Sequence, residues 1–372
     1  MAAIVMPACD DDNDGWREIT NGNTYTSQDG KSDGFAKGAD VSWLTEMEDN
    51  GIKFYAADGT ETECMTLLKS LGVGAIRLRV WVNPDKRFNA TPDVVGKAVR
   101  AKRAGMDVML DFHYSDNWAD PGQQRKPRAW RTYSAQQIER AVYHHTTQVL
   151  EAVKQAGVEP RWIQVGNEIT NGLLWDTNKA TSGALYTVTD GKLPHTANPK
   201  NFARYVKAGC KAVRQVLPNA QIIIHLDRGM DMGKYKTAFD VLSKHKVDFD
   251  IVGMSIYSQN EAGSTYFSPV TGKEETAATV ADVMNAMFAT MDFVFNTYGK
   301  PSMITEVGFK NGNDIVAESA RYMQQLMAMA KAHQHCLGIY YWEPESSMEW
   351  NQYPLGAFSN GSPTAIMDAW AD

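Results

Sequence analysis

Two glutamates in this sequence each sit at the end of a short apolar run, flanked by glycine, where a strand would hand its last residue to a loop. The first lies in Arg161-Trp-Ile-Gln-Val-Gly166-Asn167-Glu168. The second lies in Ser302-Met-Ile-Thr305-Glu306-Val-Gly308. The runs have the length and β-branched content of buried strands, and Gly157, Pro160 and Asn171-Gly172 punctuate the first of them. A carboxyl just past the end of a buried parallel strand stands where α/β barrels keep their chemistry. Two such carboxyls about 5 to 5.5 Å apart are what retaining glycoside hydrolysis needs, one protonated as acid and one ionised as nucleophile. Taken singly, either glutamate could be a strand-end residue in a salt bridge; the pair, with Asn167 beside one member, points to catalysis. The Asn167 amide could hydrogen-bond a sugar 2-hydroxyl in the transition state, or it could simply turn the backbone.

The elements that would position the pair follow in a regular rhythm. Strand-like runs occur at 35–41, 75–80, 107–113, 162–165, 221–226, 249–255, 302–305 and 338–342. Helical periodicity fills the gaps at 61–71, 92–104, 135–155, 199–217, 234–245, 279–298 and 314–333, with a short closing segment at 363–370. Thr91-Pro92, Ser134 and Asn198 carry start signals, and Gly105 and Gly157 carry stop signals. Eight strands alternating with eight helices predict a single (β/α)8 TIM barrel in the α/β class, with strands four and seven facing each other across its mouth. An open doubly wound sheet is the alternative, but no glycine-rich phosphate loop follows any strand. The chain therefore divides into a polar leader, 1–34, and one barrel, 35–372. The polar excursion at 171–195 is too long for an ordinary loop and is expected at the binding surface.

With 372 residues, 43% hydrophobic, 22% charged and a formal charge of -7, the chain suits one large core and lacks the basic surface nucleic acid would require. No run is long and apolar enough to span a bilayer. Cys64, Cys210 and Cys336 sit in apolar segments without metal-site or disulfide spacing and read as buried thiols. Cys9 follows Met1-Ala-Ala-Ile-Val-Met6-Pro7-Ala8 and precedes Asp10-Asp-Asp-Asn-Asp14. This resembles the end of a lipoprotein signal whose basic start is missing, which would anchor the protein at the cell surface or outer membrane; a leader with a spare thiol is the alternative.

Further segments stand out along the chain: Lys37-Gly-Ala-Asp40-Val-Ser-Trp43, Ile76-Arg77-Leu-Arg79-Val-Trp-Val-Asn-Pro84 and Leu110-Asp-Phe-His113-Tyr-Ser-Asp116-Asn-Trp118-Ala-Asp-Pro121. Gln164-Val-Gly-Asn-Glu168-Ile169, Gly172-Leu-Leu-Trp175 and Tyr340-Tyr-Trp342-Glu-Pro344 complete the set. Together, and in this order, they resemble glycoside hydrolase family 53, the endo-β-1,4-galactanases. The resemblance implies Glu168 as general acid/base and Glu306 as nucleophile. It also implies a strand-two arginine beside the nucleophile. Arg77 and Arg79 share a strand face, so alternation cannot separate them, and the resemblance favours Arg77. His113 is implied as a sugar-contacting or acid-orienting residue, with a structural histidine as the alternative. Asp40, Asp116, Trp118 and Asp227 are implied at the mouth, Tyr257 as a donor to the nucleophile, and Trp342 as the stacking floor for galactose, with Trp175 at a more distant subsite. After strand six the chain departs from the family, reading Ser255-Ile-Tyr-Ser258. No cofactor or metal is expected. The substrate expected is β-1,4-galactan and the protein a monomer; a β-mannan or β-glucan hydrolase of the same clan, or a glycan-binding lipoprotein without activity, are the rival readings.

Overall fold

The computed structural model describes residues 34–175, 199–312 and 314–371. Phe35–Asp372 form one compact unit. Its eight long strands are β1 (Ala36–Asp40), β2 (Ala75–Val80), β3 (Asp107–Phe112), β4 (Trp162–Val165), β5 (Gln221–Leu226), β6 (Ile251–Ile256), β7 (Ser302–Val307) and β8 (Cys336–Trp342). Each pairs in parallel with its sequence neighbours, and β8 pairs with β1 to close the barrel. The longer helices around it are α1 (Cys64–Ser70), α2 (Thr91–Arg103), α3 (Ala135–Gln155), α4 (Pro199–Val216), α5 (Met232–Lys244), α6 (Val280–Tyr298) and α7 (Val316–Ala332). The eighth place is taken by a 3-10 turn, Ala365–Trp370, shorter than the helix anticipated there.

Local signals set most boundaries. Ser134 and Gln137 form a capping box at α3, and Thr279 and Asp282 form one at α6. Thr91 is not a cap: it is the first helical residue, and Ala90 precedes it without a side-chain bond. Gly105 and Gly157 follow their helices with positive φ, the backbone region glycine enters without steric cost. Asn198, Cys9 and most of the 171–195 excursion lie outside the described residues. Small elements that were not anticipated include a helix at Leu44–Asp49, a turn of helix at Ser258–Glu261, and a two-stranded ribbon pairing Thr265–Phe267 with Glu274–Thr276. Cys64, Cys210 and Cys336 are buried and free. Among the described residues no helix is long and apolar enough to cross a membrane.

The barrel interior is layered. At the amino-terminal end Ala36, Ala75, Met109, Trp162, Ile223, Ile251, Met303 and Tyr340 make a separate apolar plug, in which Trp162 and Tyr340 meet edge to face at 6.2 Å. Gly38 makes room for it, since a Cβ there would stand 2.2 Å from the Tyr340 ring. The next inward positions along the strands are Asp40, Arg77, Asp111, Gln164 and His225, all buried and polar. Strand alternation thus converts an apolar floor into a polar ceiling beneath the barrel mouth.

Candidate active site

Arg77 is the centre of that ceiling. It is 1% exposed. Its Nη1 donates to Asp40 Oδ2 at 2.7 Å, and its Nη2 lies 2.9 Å from Asp111 Oδ2, Asn167 Oδ1 and Glu306 Oε1. Nε donates to Gln164 Oε1 at 3.2 Å. A buried cation is tolerable only with such partners, and three carboxylates supply more negative charge than it carries. Arg79, on the same face, does something different: it reaches Glu343 at 3.3 Å and lies 3.9 Å under the Trp118 ring. The two arginines that alternation left equivalent are therefore separated, and Arg77 holds Glu306.

Glu306 is not past its strand but inside it, and a bulge aims it. Met254 pairs with Ile304, yet the next pair is Ser255 with Glu306; on the other side Ile339 pairs with Ile304 and Tyr341 with Val307. β7 thus carries an extra residue between Ile304 and Val307. Met303 faces inward, so strict alternation would turn Glu306 away from the lumen, and the bulge returns it. Its Oε2 accepts the Tyr257 hydroxyl at 3.1 Å.

Glu168 is held differently. Its backbone is left-handed, with φ 46° and ψ 50°, a conformation glycine adopts more readily. Gln124 Nε2 fixes the turn by donating to the Asn167 carbonyl at 2.8 Å. Glu168 Oε1 accepts the Ser255 hydroxyl at 2.6 Å. Burial pushes both carboxyls upward. For Glu168 the charges of Glu306 and Asp227 push further the same way, and only the Ser255 hydroxyl opposes. For Glu306 the Arg77 guanidinium and Tyr257 hydroxyl oppose the burial, although Asp111 and Asp40 add to it. Of the two, Glu168 is therefore the carboxyl pushed further up, and Glu306 the one its neighbours ease back down.

The remaining expected residues divide. Asn167 is 5% exposed, its oxygen taken by Arg77 and one amide hydrogen given to the Ala119 carbonyl at 2.8 Å. His113 accepts the Ala119 N–H on Nδ1 and donates from Nε2 to Asp111 Oδ2, both at 3.0 Å, so burial lowers its basicity and it braces Arg77's partner. Trp118 and Trp342 are half-buried, 5.9 Å apart, and Trp43 lies 5.8 and 5.1 Å from them, with Tyr353 4.9 Å from Trp342. Together these rings form an aromatic wall. Asp227 pairs with Lys234 at 3.2 Å close enough to Glu168 for its charge to act there. Asp116, in the loop after β3, accepts the Asn83 N–H at 3.1 Å and the Arg128 N–H at 2.8 Å. Two expectations need correction. Asp40 does not line the mouth: it is fully buried, bonded to Arg77 and to Ser42. Trp175 is 2% exposed and donates its indole N–H to the Asn171 carbonyl, so it offers no open face.

Sequence reasoning missed Asp111, Gln164, His225 and Ser255, all of which touch the network. Their signal was available: each is a lone polar residue in the second half of an apolar strand, spaced by two from another inward residue. Among the described residues no three His, Cys, Asp or Glu side chains converge as a metal site would.

Comparison with known proteins gives consistent likenesses. Residues 36–367 match the family model described as glycosyl hydrolase family 53. A probable arabinogalactan endo-β-1,4-galactanase A of Aspergillus fumigatus is 33% identical over 316 residues, covering 83% of this chain and 83% of the relative; an endo-β-1,4-galactanase of Bacillus subtilis is 28% identical over 383 residues, covering 92% and 80%. A solved structure from a study of two fungal β-1,4-galactanases superimposes with a TM-score of 0.74 at 25% identity, over 90% of this chain and 98% of the other.

Proposed function

The chain belongs to glycosyl hydrolase family 53, and from that premise we propose that it cleaves β-1,4-linked galactan at internal bonds with retention of anomeric configuration. One observation carries the assignment of roles: Arg77 and Tyr257 both engage Glu306, whereas Glu168 meets one hydroxyl and other carboxyls. Glu306, kept ionised, attacks the anomeric carbon. Glu168 gives its proton to the departing glycosidic oxygen, so the C–O bond breaks as the bond to Glu306 forms. In the second half Glu168 takes a proton from water, whose oxygen displaces Glu306 and restores the enzyme. Asn167, locked by Arg77, keeps one amide hydrogen for the sugar, and the wall of Trp118 and Trp342 suits the apolar face of galactose.

Proton NMR of galactan digestion, followed from the first minutes, tests this. Oligosaccharides of several lengths should appear as the β-anomer and then mutarotate. An α-anomer appearing first, or greater activity on mannan or glucan, would contradict the proposal. The run Ala8-Cys9 followed by acidic residues supports a lipid anchor and surface display; an unmodified Cys9 in protein isolated from its own host would remove that part.

A further inference from the structure

We propose that Ser255 and His225 are positioning residues for the reaction, forming one directed chain, His225 Nε2–H to Ser255 Oγ and Ser255 Oγ–H to Glu168 Oε1, that receives the charge left when Glu168 releases its proton. This rests on the reading of Glu168 as acid/base. Both residues are buried, and Ser255 Oγ stands 2.8 Å from His225 Nε2 and 2.6 Å from Glu168 Oε1. Ser255 also pairs in register with Glu306, which places the chain between the two carboxyl-bearing strands.

The direction follows from the neighbours. Arg77 donates to Gln164 Oε1, which leaves Gln164 Nε2 as the donor end, 3.0 Å from His225 Nδ1. The Glu168 backbone N–H also faces Nδ1, at 3.4 Å. Of the two Gln164 amide hydrogens one goes to Asp111 Oδ1 at 2.5 Å, and Asn167 Oδ1, 3.1 Å from Nδ1, already accepts from Arg77 at 2.9 Å. Nδ1 is therefore the acceptor and Nε2 carries the hydrogen. The single Ser255 hydrogen is then free for Glu168, and each bond polarises the next.

The groups facing this chain explain its use. Glu306, Asp227 and Asp120 press the proton onto Glu168, from β7 and from the loops after β5 and β3. Tyr257 lies beside Glu306, and Tyr235 donates to the carbonyls of Leu226 and Asp227. Around His225 stand Arg77, Asp111 and His113; burial and Arg77 keep its ring neutral. Left unopposed, the carboxyls would make Glu168 too weak an acid to give up its proton. The chain acts against them only when Glu168 is ionised. No proton leaves Ser255 or His225: the one that moves passes from Glu168 to the glycosidic oxygen and is replaced from water.

The test is the pH dependence of kcat/KM on galactan and on an aryl β-galactobioside with a good leaving group, for the intact enzyme, Ser255→Ala, Ser255→Cys and Glu168→Gln. The alkaline limb should vanish in Glu168→Gln. It should move up by about one pH unit in Ser255→Ala, as expected for losing a hydrogen bond to a charged group, and less in the weaker donor Ser255→Cys, while the acid limb stays in place. The loss should fall on kcat more than on KM, and more on galactan than on the aryl substrate. If Glu168→Gln loses the limb but both Ser255 variants keep it unmoved, or moved down, the chain is overturned and the role of Glu168 stands. If Glu168→Gln keeps the limb, both fall.

Discussion

Arg77 carries the consequences at the scale of single residues. It binds Asp40, Asp111 and Glu306 with all four side chains buried, so its removal leaves three buried carboxyls without that counter-ion. Arg77→Gln should destabilise the fold by about 3–5 kcal/mol, the usual cost of breaking a buried pair, measured by urea unfolding. Activity should fall by about 10²-fold or more, because Glu306 would then keep a proton. Retained activity with an intact fold would show that Arg77 does not hold the nucleophile. The same residue shows where sequence reading stops. Arg77 and Arg79 share a strand face and composition cannot rank them; only the lateral neighbours, Glu306 for one and Glu343 with Trp118 for the other, separate them.

At the scale of elements, the strands were legible because buried parallel strands read as short apolar runs, and β2, β4 and β5 were found residue for residue. The bulge in β7 was not. It depends on pairing with both neighbours, which local sequence does not encode, and it decides whether Glu306 faces the lumen. The ribbon at 265–276 and the helix at Leu44–Asp49 were too short to show a period. The fit of β1 to β8 makes a direct prediction. Gly38→Ala places a methyl 2.2 Å from the Tyr340 ring. It should cost about 1–3 kcal/mol by overpacking the plug, seen as a lower melting temperature with KM for galactan unchanged. An unchanged melting temperature would mean the plug repacks freely.

Over the whole molecule, the barrel stacks an apolar floor, a charged ceiling and an aromatic wall, and the alternation of inward residues makes the first two. Carboxyls are buried in excess of cations there, so folding should respond to pH. Burial, with Asp40's charge, raises Glu343 to about 7, and burial with Glu343's charge raises Glu345. A carboxyl whose folded value lies above its unfolded one holds its proton more firmly when native. Its contribution to stability is complete below the unfolded value of about 4.3 and is lost as pH rises through the folded one. Glu345→Gln removes one of the pair, so its melting temperature should gain on the parent protein's between about pH 5 and 8; a constant difference would mean that the pair does not titrate with folding. The central claim, that Glu306 is the nucleophile and Glu168 the proton carrier, is tested most directly by trapping the intermediate. Incubation with an activated 2-deoxy-2-fluoro-galactobioside, followed by digestion and mass spectrometry, should place the sugar on the peptide containing Glu306. A sugar on Glu168, or no covalent adduct while the reagent is turned over, would contradict the account.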